Sequence, residues 1–475
     1  MSARRFPLPV MIGLVCGPFI SMVDSNAINV AVPEIADDLG APLPTVGWAI
    51  SAYLLGIAAA LPLTAWLARR FGTRRVYAWS LAGFAVASAL CAAAPTAEAL
   101  VALRAVQGMT SAPLVPLALS LIYAGGSASR PPIAAGMFFF LAPALGPTFG
   151  GLISATVGWR PIFLINVPLV VLGLLGVRRV PDPPSTKDSS TGNGFDLAGL
   201  VLLAGGATVA VYGASTVTAR GSSASAGWWI CVAGLALLGW YAVHERRATA
   251  RGAPVAVTLR LLADGRGRIA VLVCAVASLV LFAVHFVVPV FLVQIQGHSA
   301  LVAGLVLFPQ GIAMGLFSGV GEGLVRRAGL RITVAAGMAV LAGTTAVLFA
   351  VSAETPPWQT ALLLTGRGAA LGLTLQPLIN GLMTRYPPDA VTDVSTLFNV
   401  SQRVSGSLGI AAIAAFYQTE VAAGPPVTAF RTTIALLIGL ACAGLLLATL
   451  LPGRADGRHA ARSAAAHRER EGAST

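Results

Sequence analysis

Apolar stretches of about 20 residues alternate with short polar segments along almost the whole chain. Each stretch is long enough to cross roughly 30 Å of hydrocarbon as an α-helix. The pattern therefore predicts an all-α polytopic membrane protein with 14 transmembrane helices. We expect these helices near residues 10–32, 45–66, 76–95, 98–122, 132–155, 161–177, 196–216, 226–243, 269–294, 300–321, 332–352, 358–381, 392–417 and 432–451.

Composition supports the membrane assignment. Hydrophobic residues make up 56% of the 475 residues, charged residues make up 10%, and the mean hydropathy is +0.81. A water-soluble protein usually has about 25% charged residues. The net charge of +13 does not indicate nucleic-acid binding, because the basic residues lie in short segments between apolar stretches.

The distribution of basic residues predicts the orientation of the chain. If both termini are cytoplasmic, 25 of the 31 Lys and Arg lie on the inner side. Three lie on the outer side, Arg160, Arg220 and Arg431, and three lie within spans. This excess of inner positive charge predicts a multi-pass protein of the bacterial cytoplasmic membrane with both termini inside.

A polar linker and a weak repeat divide the chain. The linker, residues 178–195, is rich in Pro, Ser and Gly, and LARRFGTRRV at residues 67–76 is echoed by LVRRAGLRIT at residues 324–333. Two six-helix bundles with an inserted helix pair are the arrangement expected of a secondary transporter. We expect an N-terminal bundle at 1–180, a linker with two inserted helices at 181–250, a C-terminal bundle at 251–452 and a basic, disordered cytoplasmic tail at 453–475.

The fifth span contains an unusual concentration of glycine and proline, in APALGPTFGG at residues 142–151. Both residue types weaken helix interiors, so close packing on a neighbouring helix must compensate for them. An alternative is that glycine and proline are simply frequent in membrane helices. The residues concerned are Pro143, Gly146, Pro147, Gly150 and Gly151.

Ionisable groups within spans are candidates for function, because each is costly to place in hydrocarbon. Asp24 lies about 12 Å below the outer end of the first span, and Arg104 lies about 9 Å below the outer end of the fourth. The two side chains could therefore meet. An arginine that captures or releases a carboxylate as the latter binds a proton is a coupling device, although a static structural ion pair is the alternative.

The second half places similar groups at similar depths. His285 and Arg367 follow Asp24 and Arg104 by 261 and 263 residues, close to the offset of the loop repeat. We predict a proton-coupling role for His285, with hydrogen-bonded packing as the alternative. Arg403 lies near the centre of its span, and we expect it to face a polar substrate cavity with Asn399 and Gln402.

Motifs for other chemistry are missing from the sequence. It contains no phosphate-binding glycine loop, no zinc-binding His-Glu motif and no nucleophile elbow, and its five cysteines lie singly in apolar segments. We expect no enzyme activity, no cofactor and no metal site. Transport against a gradient must then be driven by an ion gradient.

Four motifs resemble the major facilitator superfamily, and within it the fourteen-helix drug:proton antiporters. VDSNAINVAVP at residues 23–33 is similar to the helix 1 signature, with Asp24 and Asn29 in place. ALRAVQG at residues 102–108 resembles the helix 4 motif, in which the arginine is implicated in proton coupling, and matches at Arg104 and Gln107. APALGPTFGG resembles the antiporter motif that marks exporters, and GWRPIFLINVP at residues 158–168 is typical of the fourteen-helix family.

The loop between the second and third spans departs from that family. It resembles the family's inner gating loop at Gly72, Arg74 and Arg75, but Arg69 stands in a stretch where the family often has an acidic residue. An inner gate based on that acid is therefore not expected. The gating-loop candidates are Arg69, Arg70, Gly72, Arg74 and Arg75, and the substrate-cavity candidates are Asn29, Gln107, Arg367, Asn399, Gln402 and Arg403.

These observations predict a proton-coupled antiporter that exports an amphipathic organic compound, either a drug or an antibiotic, and confers resistance. Its expected partners are the small-molecule substrate, protons and the lipid bilayer, with no nucleic acid, and we expect a monomer. Two alternatives remain, a proton-coupled importer of a small nutrient and a membrane sensor that does not transport.

Overall fold

The described residues form an all-helical protein. The computed structural model describes residues 8–124, 133–178, 180, 195–218, 224–259, 262, 264–383 and 391–451. Most of the polar linker and the whole basic tail lie outside these ranges. No β-strand occurs in this part of the chain, which confirms the predicted all-α class. Within it, 12 helical stretches are long and apolar enough to cross a membrane.

The helices of the first half, in chain order, are α1 (Leu8–Asp38), α2 (Leu43–Phe71), α3 (Thr73–Ala92), α4 (Ala97–Ser111), α5 (Leu114–Ala124), α6 (Ile133–Val157), α7 (Arg160–Leu164) and α8 (Asn166–Val177). The remaining helices are α9 (Leu197–Thr218), α10 (Ala224–Ala250), α11 (Gly265–Gln294), α12 (Ala300–Ala328), α13 (Leu330–Leu348), α14 (Pro357–Met383), α15 (Val391–Ala423) and α16 (Pro426–Thr449).

Two predicted spans consist of two helices each. The span expected at residues 98–122 divides into α4 and α5 at Pro113, which has no backbone N–H to donate to the preceding turn. The span expected at residues 161–177 divides into α7 and α8 at Ile165, three residues before Pro168. Thr96 begins α4 as an N-cap, because its hydroxyl accepts a hydrogen bond from the Ala99 N–H at 3.2 Å.

Contacts group the helices by their position in the chain. In the first half, α1 packs on α6 and α8, α2 packs on α4, and α3 packs on α4 and α8. In the second half, α11 packs on α15 and α16, α12 packs on α14, and α13 packs on α14 and α16. The most extensive contacts between the halves join α6 with α12 and α2 with α15, and α1 also contacts α11 and α12. The helices α9 and α10 pack on each other, and α9 also contacts α15.

The repeated loop has the same backbone form in both halves. Gly72 ends α2 and begins α3 with a φ of 91°, and Gly329 ends α12 and begins α13 with a φ of 95°. Both values lie in the left-handed region that favours glycine. The two glycines are 257 residues apart, the offset that the sequence repeat predicted.

Candidate functional site

A fully buried ion pair joins α1 to α4. The Nη1 atom of Arg104 lies 2.5 Å from Oδ2 of Asp24, and both side chains have 0% exposure. Removing two charges from water is costly, and the cost is offset only when the charges pair closely and their remaining polar atoms are also bonded. Asp24 and Arg104 thus meet as their predicted depths suggested.

Three further polar side chains, those of Gln107, Asn166 and Ser88, form a hydrogen-bond network around the carboxylate of Asp24. Gln107 on α4 donates to Asp24 Oδ1 at 3.2 Å, and Asn166 on α8 donates to the same oxygen at 2.8 Å. Both amides also donate to the Ser88 hydroxyl on α3, at 2.6 and 3.1 Å. The carboxylate therefore connects four helices, α1, α3, α4 and α8.

Aromatic rings cover the arginine of this pair. The guanidinium carbon of Arg104 lies 4.1 Å from the centre of the Tyr53 ring and 5.6 Å from that of Phe163. Its Nε donates to the Ala49 carbonyl at 3.3 Å, and its Nη1 also donates to Gln107 at 2.6 Å. The Nη2 atom has no hydrogen-bond partner among the described residues. The two N–H groups on Nη2 are thus left without a hydrogen-bond acceptor among the described residues.

One face of α6 lies directly against α1 at the level of Asp24. A Cβ atom at Gly146 would lie 2.8 Å from the Val23 carbonyl oxygen, and a Cβ atom at Gly150 would overlap the Ala27 carbonyl oxygen. Only glycine permits this approach. The close packing predicted for the glycine-rich span is confirmed, and its partner is the helix that carries the buried carboxylate.

The other face of α6 lies against α12 of the second half. A Cβ atom at Gly151 would overlap the Ala300 carbonyl oxygen, and a Cβ atom at Gly304 would overlap the Pro147 carbonyl oxygen. The Thr148 hydroxyl donates to the Gly304 carbonyl at 3.4 Å. The helix α6 therefore connects the carboxylate helix to the opposite half. The side chain of Pro143 lies outside the described part of the structure.

The ends of α1, α6 and α7 are fixed together on the predicted outer side. Glu34 accepts hydrogen bonds from the Ser154 hydroxyl and from the Trp159 N–H, the latter at 3.1 Å. Asp38 pairs with Arg160 at 2.5 Å and accepts a bond from the Trp159 indole at 3.0 Å. These contacts hold the outer end of α1 above the buried pair.

The second half contains no matching ion pair in its described residues. Arg367 on α14 has 0% exposure and donates to the Thr345 hydroxyl and, at 3.3 Å, to the Val280 carbonyl. His285 on α11 lies beside Gln310 of α12 and within electrostatic range of Arg367. The structure thus brings His285 and Arg367 near each other without a carboxylate between them.

A polar face runs along α15. Ser395, Asn399, Gln402 and Arg403 follow a helical spacing that places them on one side, and all four are partly exposed. Arg403 lies within electrostatic range of Tyr53, whose ring covers Arg104. The α15 face therefore reaches the surroundings of the buried pair, whereas Asn29, another cavity candidate, is buried within α1.

The gating-loop candidates lie on the predicted inner side. Arg69, Arg70 and Arg75 are exposed, and Arg74 donates to the Val180 carbonyl at 3.0 Å. This bond links the start of α3 to the segment that follows α8. Among the described residues, the exposed Arg69, Arg70 and Arg75 form no ion pair.

The carboxylate cluster consists of Asp24, Ser88, Arg104, Gln107 and Asn166. Sequence reasoning missed two of its members, Asn166 and Ser88. Asn166 stands within GWRPIFLINVP, where a lone amide in an apolar stretch was a signal that could have been used. Ser88 offered no comparable signal, because a serine in a membrane helix often bonds its own backbone. Within the described ranges, no group of His, Cys, Asp and Glu side chains could hold a metal ion.

Known proteins are similar to this chain over most of its length. A model of the Major Facilitator Superfamily matches residues 14–410. A "Multidrug resistance protein B homolog" of Mycobacterium tuberculosis is 30% identical over 425 residues, 86% of this chain and 77% of the relative. The "Puromycin resistance protein pur8" of Streptomyces alboniger is 27% identical over 466 residues, 92% of this chain and 89% of the relative.

Solved structures share the fold at low sequence identity. A POT family peptide transporter in an auto-inhibited form matches with a TM-score of 0.62 and 14% identity, over 94% of this chain and 98% of that chain. The nucleoside transporter NupG matches with a TM-score of 0.57 and 14% identity, over 93% of this chain and 99% of that chain. These matches show the fold alone.

Proposed function

The chain belongs to the Major Facilitator Superfamily, a family of transporters, and we propose that it is a proton-coupled antiporter that exports an amphipathic organic compound. The observation that carries this proposal is the buried Asp24–Arg104 pair, which lies against the glycine-rich face of α6. A charge pair and a close helix contact in one place give the chain a means to couple protonation to movement.

The proposed architecture has 14 spans. The 12 stretches that qualify by length and composition are supplemented by α6 and α15, which are helices of similar length. We propose bundles at 1–180 and 251–452 on either side of the inserted pair, since the contacts group the helices in this way. The excess of basic residues on one side supports cytoplasmic termini in a bacterial cytoplasmic membrane.

The conformation that best fits these contacts is closed on the outer side. The helices α6 and α12 meet where α6 ends and α12 begins, and a Cβ at Gly47, near the start of α2, would lie 3.4 Å from the Ala414 Cβ near the end of α15. With the proposed orientation, all these positions are in the outer half of the membrane. The partly exposed polar face of α15 then opens toward the cytoplasm.

Proton binding to Asp24 would belong to the outward-facing state. When the outer contacts of α6 open, a proton from outside neutralises the carboxylate and removes its attraction to Arg104, whose unbonded Nη2 can then find other partners. Substrate would then leave outward. When the inward-facing state returns, Arg104 pairs with Asp24 again and the proton passes to the cytoplasm.

The energy available from one proton is adequate for export. One charge that crosses about 100 mV gains roughly 2.3 kcal/mol, which corresponds to about 50-fold accumulation. His285 is a second candidate for protonation, because Arg367 opposes its charged form in this arrangement and separation of the two would let the imidazole take a proton. We propose that the chain works as a monomer, with its substrate path between its two halves.

The substrate cavity is proposed to lie between the two halves, where the polar face of α15 approaches Tyr53. Partly exposed polar residues in a membrane helix are expected to face a water-filled cavity rather than lipid. Asn399, Gln402 and Arg403 would contact the substrate there, and Asn29, Gln107 and Arg367 would line or support the same path. Relatives named for multidrug, puromycin and methylenomycin A resistance support a drug or antibiotic as the exported compound.

Everted membrane vesicles test the proposed direction and coupling. Energised vesicles that contain the protein should accumulate a transported compound, and adding that compound should dissipate the pH gradient. Growth of an expressing strain on a compound panel would first identify candidates. Accumulation only in right-side-out vesicles would indicate import, and no transport of any compound that the strain resists would indicate a sensor.

A further inference from the structure

A cavity of about 410 Å³ lies at the base of the inserted helix pair, away from the proposed transport path. It is bordered by the start of α9, by the last turns of α10 and by the segment that follows α10. Apolar residues, including Trp240 and Phe195, line one part of the cavity. Arg247 and Arg251 line another part.

Hydrogen bonds fix the floor of this cavity. The Asp196 carboxylate receives bonds from His244 Nε2 at 2.8 Å, from the Gly199 N–H at 2.8 Å and from the Ala256 N–H at 3.2 Å. The carboxylate is therefore satisfied by the protein itself and does not need either arginine. It also ties α9 and α10 to the segment around Ala256.

A second set of bonds holds the same segment against α10. The Val257 N–H donates to the Tyr241 hydroxyl at 2.8 Å, and the Leu259 N–H donates to the Glu245 carboxylate at 3.3 Å. Both α10 residues are buried. The cavity walls are thus built by specific contacts rather than by loose loop packing.

The two arginines remain available to a ligand. Arg247 and Arg251 are four residues apart, which places them on the same side of the chain, and both are exposed. Neither guanidinium group makes a hydrogen bond or an ion pair with any residue that the structure describes. Two guanidinium groups that converge on one cavity favour a phosphate group, which accepts paired N–H donors well.

The position of Trp240 favours a lipid over a soluble anion as the ligand of this cavity. Its side chain is 64% exposed, and it lies roughly 16 Å from Arg251 along the chain at 1.5 Å per residue. The apolar Trp228, Trp229 and Leu235 are also exposed along α10, so this helix faces lipid. A ligand with a phosphate at one end and an acyl chain at the other matches this arrangement.

We propose that this cavity binds one anionic phospholipid of the inner leaflet, with its phosphate between Arg247 and Arg251 and an acyl chain along Trp240. The proposal rests on the cytoplasmic orientation given above, but not on proton coupling or on the transported compound. Basic pockets between membrane helices on the cytoplasmic side suit anionic headgroups, because the phosphate takes the place of the acidic partner that Arg247 and Arg251 lack among the described residues.

Native mass spectrometry of the purified full chain in detergent tests the proposal. Phosphatidylglycerol should bind saturably with one molecule held most tightly, and phosphatidylcholine should bind much more weakly. The double substitution Arg247→Gln/Arg251→Gln should weaken phosphatidylglycerol binding about 30-fold, from two lost arginine–phosphate contacts. Inorganic phosphate should neither displace the lipid nor raise the melting temperature.

The matched control is Arg266→Gln/Arg268→Gln, which removes two exposed charges on the same side of the membrane outside the cavity. It should bind phosphatidylglycerol as the parent does. Equal binding by the Arg247→Gln/Arg251→Gln chain, verified as folded by its lipid-free melting temperature, would overturn the proposed site. Stabilisation by inorganic phosphate as large as that by phosphatidylglycerol would overturn the lipid assignment, and equal binding of phosphatidylcholine would overturn the role of the arginines.

Discussion

The side-chain amide of Asn166 lies 2.8 Å from the carboxylate of Asp24, although 142 residues separate them in the chain. The same amide also donates a hydrogen bond to the Ser88 hydroxyl. The side chain of Asn166 therefore joins α8 and α3 to the carboxylate of Asp24 on α1. A change in the charge of Asp24 therefore affects the packing of three helices besides its own, since Arg104 on α4 is also its partner.

Asn166→Ala should reduce energised transport about tenfold while the protein still folds. The substitution removes a hydrogen bond to a charged group, which is typically worth roughly 1.5–3 kcal/mol, and leaves the carboxylate less firmly held. Asn380→Ala is the matched control, because that amide bonds Glu322 at an exposed position. Transport by the Asn166→Ala chain at the parental rate would exclude a positioning role.

Arg104→Gln should destabilise the protein strongly. It leaves Asp24 as an uncompensated buried charge, which costs about 3–5 kcal/mol, whereas the double substitution Asp24→Asn/Arg104→Gln should recover most of that loss. Thermal unfolding of the purified variants measures both effects. Arg160→Gln breaks the exposed pair with Asp38 and should cost at most about 1 kcal/mol. If the double variant is less stable than Arg104→Gln, the buried charge of Asp24 is not the cause of the lost stability.

Gly151→Ala should open the outer contact between the halves. The added Cβ would overlap the Ala300 carbonyl, so α6 and α12 must separate. Hydrogen exchange should become faster at the outer ends of these two helices, and transport should fall. Gly319→Ala is the control on α12, since a Cβ there meets no atom within 4 Å. Unchanged exchange in the Gly151→Ala chain would show that this contact does not hold the outer side closed.

His285→Ala should change the pH dependence of transport. An imidazole ordinarily changes charge between about pH 5 and pH 8, and this one, beside Gln310, would gain a proton when Arg367, which opposes its charged form, moves away. Initial transport rates across this range measure the effect. His298→Ala, in the loop after α11, should retain the parental profile. A parental profile for the His285→Ala chain would assign His285 to packing alone.

The sequence was sufficient for features that depend on spacing along one helix or on a repeat. It predicted the helical class, the meeting of Asp24 with Arg104 by depth, and the matching loops at Gly72 and Gly329. It could not show that Asn166 bonds Asp24, because that contact depends on how α8 is rotated against α1. For the same reason it did not reveal that Gly151 packs on α12 while Gly150 packs on α1.

The division of two spans into shorter helices was also missed. A hydropathy pattern averages over about 20 residues, so a local break at Pro113 does not interrupt it. The break at Ile165 affects the surroundings of Asp24, because Asn166 is the first residue of α8. The turn before it sets the direction in which the Asn166 side chain enters the carboxylate cluster.

Proton coupling at Asp24 is tested most directly by comparing Asp24→Asn with Asp37→Asn in energised everted vesicles. Both substitutions neutralise one aspartate of α1, but Asp24 is buried against Arg104 and Asp37 is exposed at the helix end. We expect Asp37→Asn to accumulate substrate and dissipate the pH gradient as the parent does, and Asp24→Asn to lose both activities at least tenfold while it is still present in the membrane at parental amounts. If the Asp24→Asn chain dissipates the pH gradient on addition of substrate as the parent does, Asp24 does not carry the coupled proton.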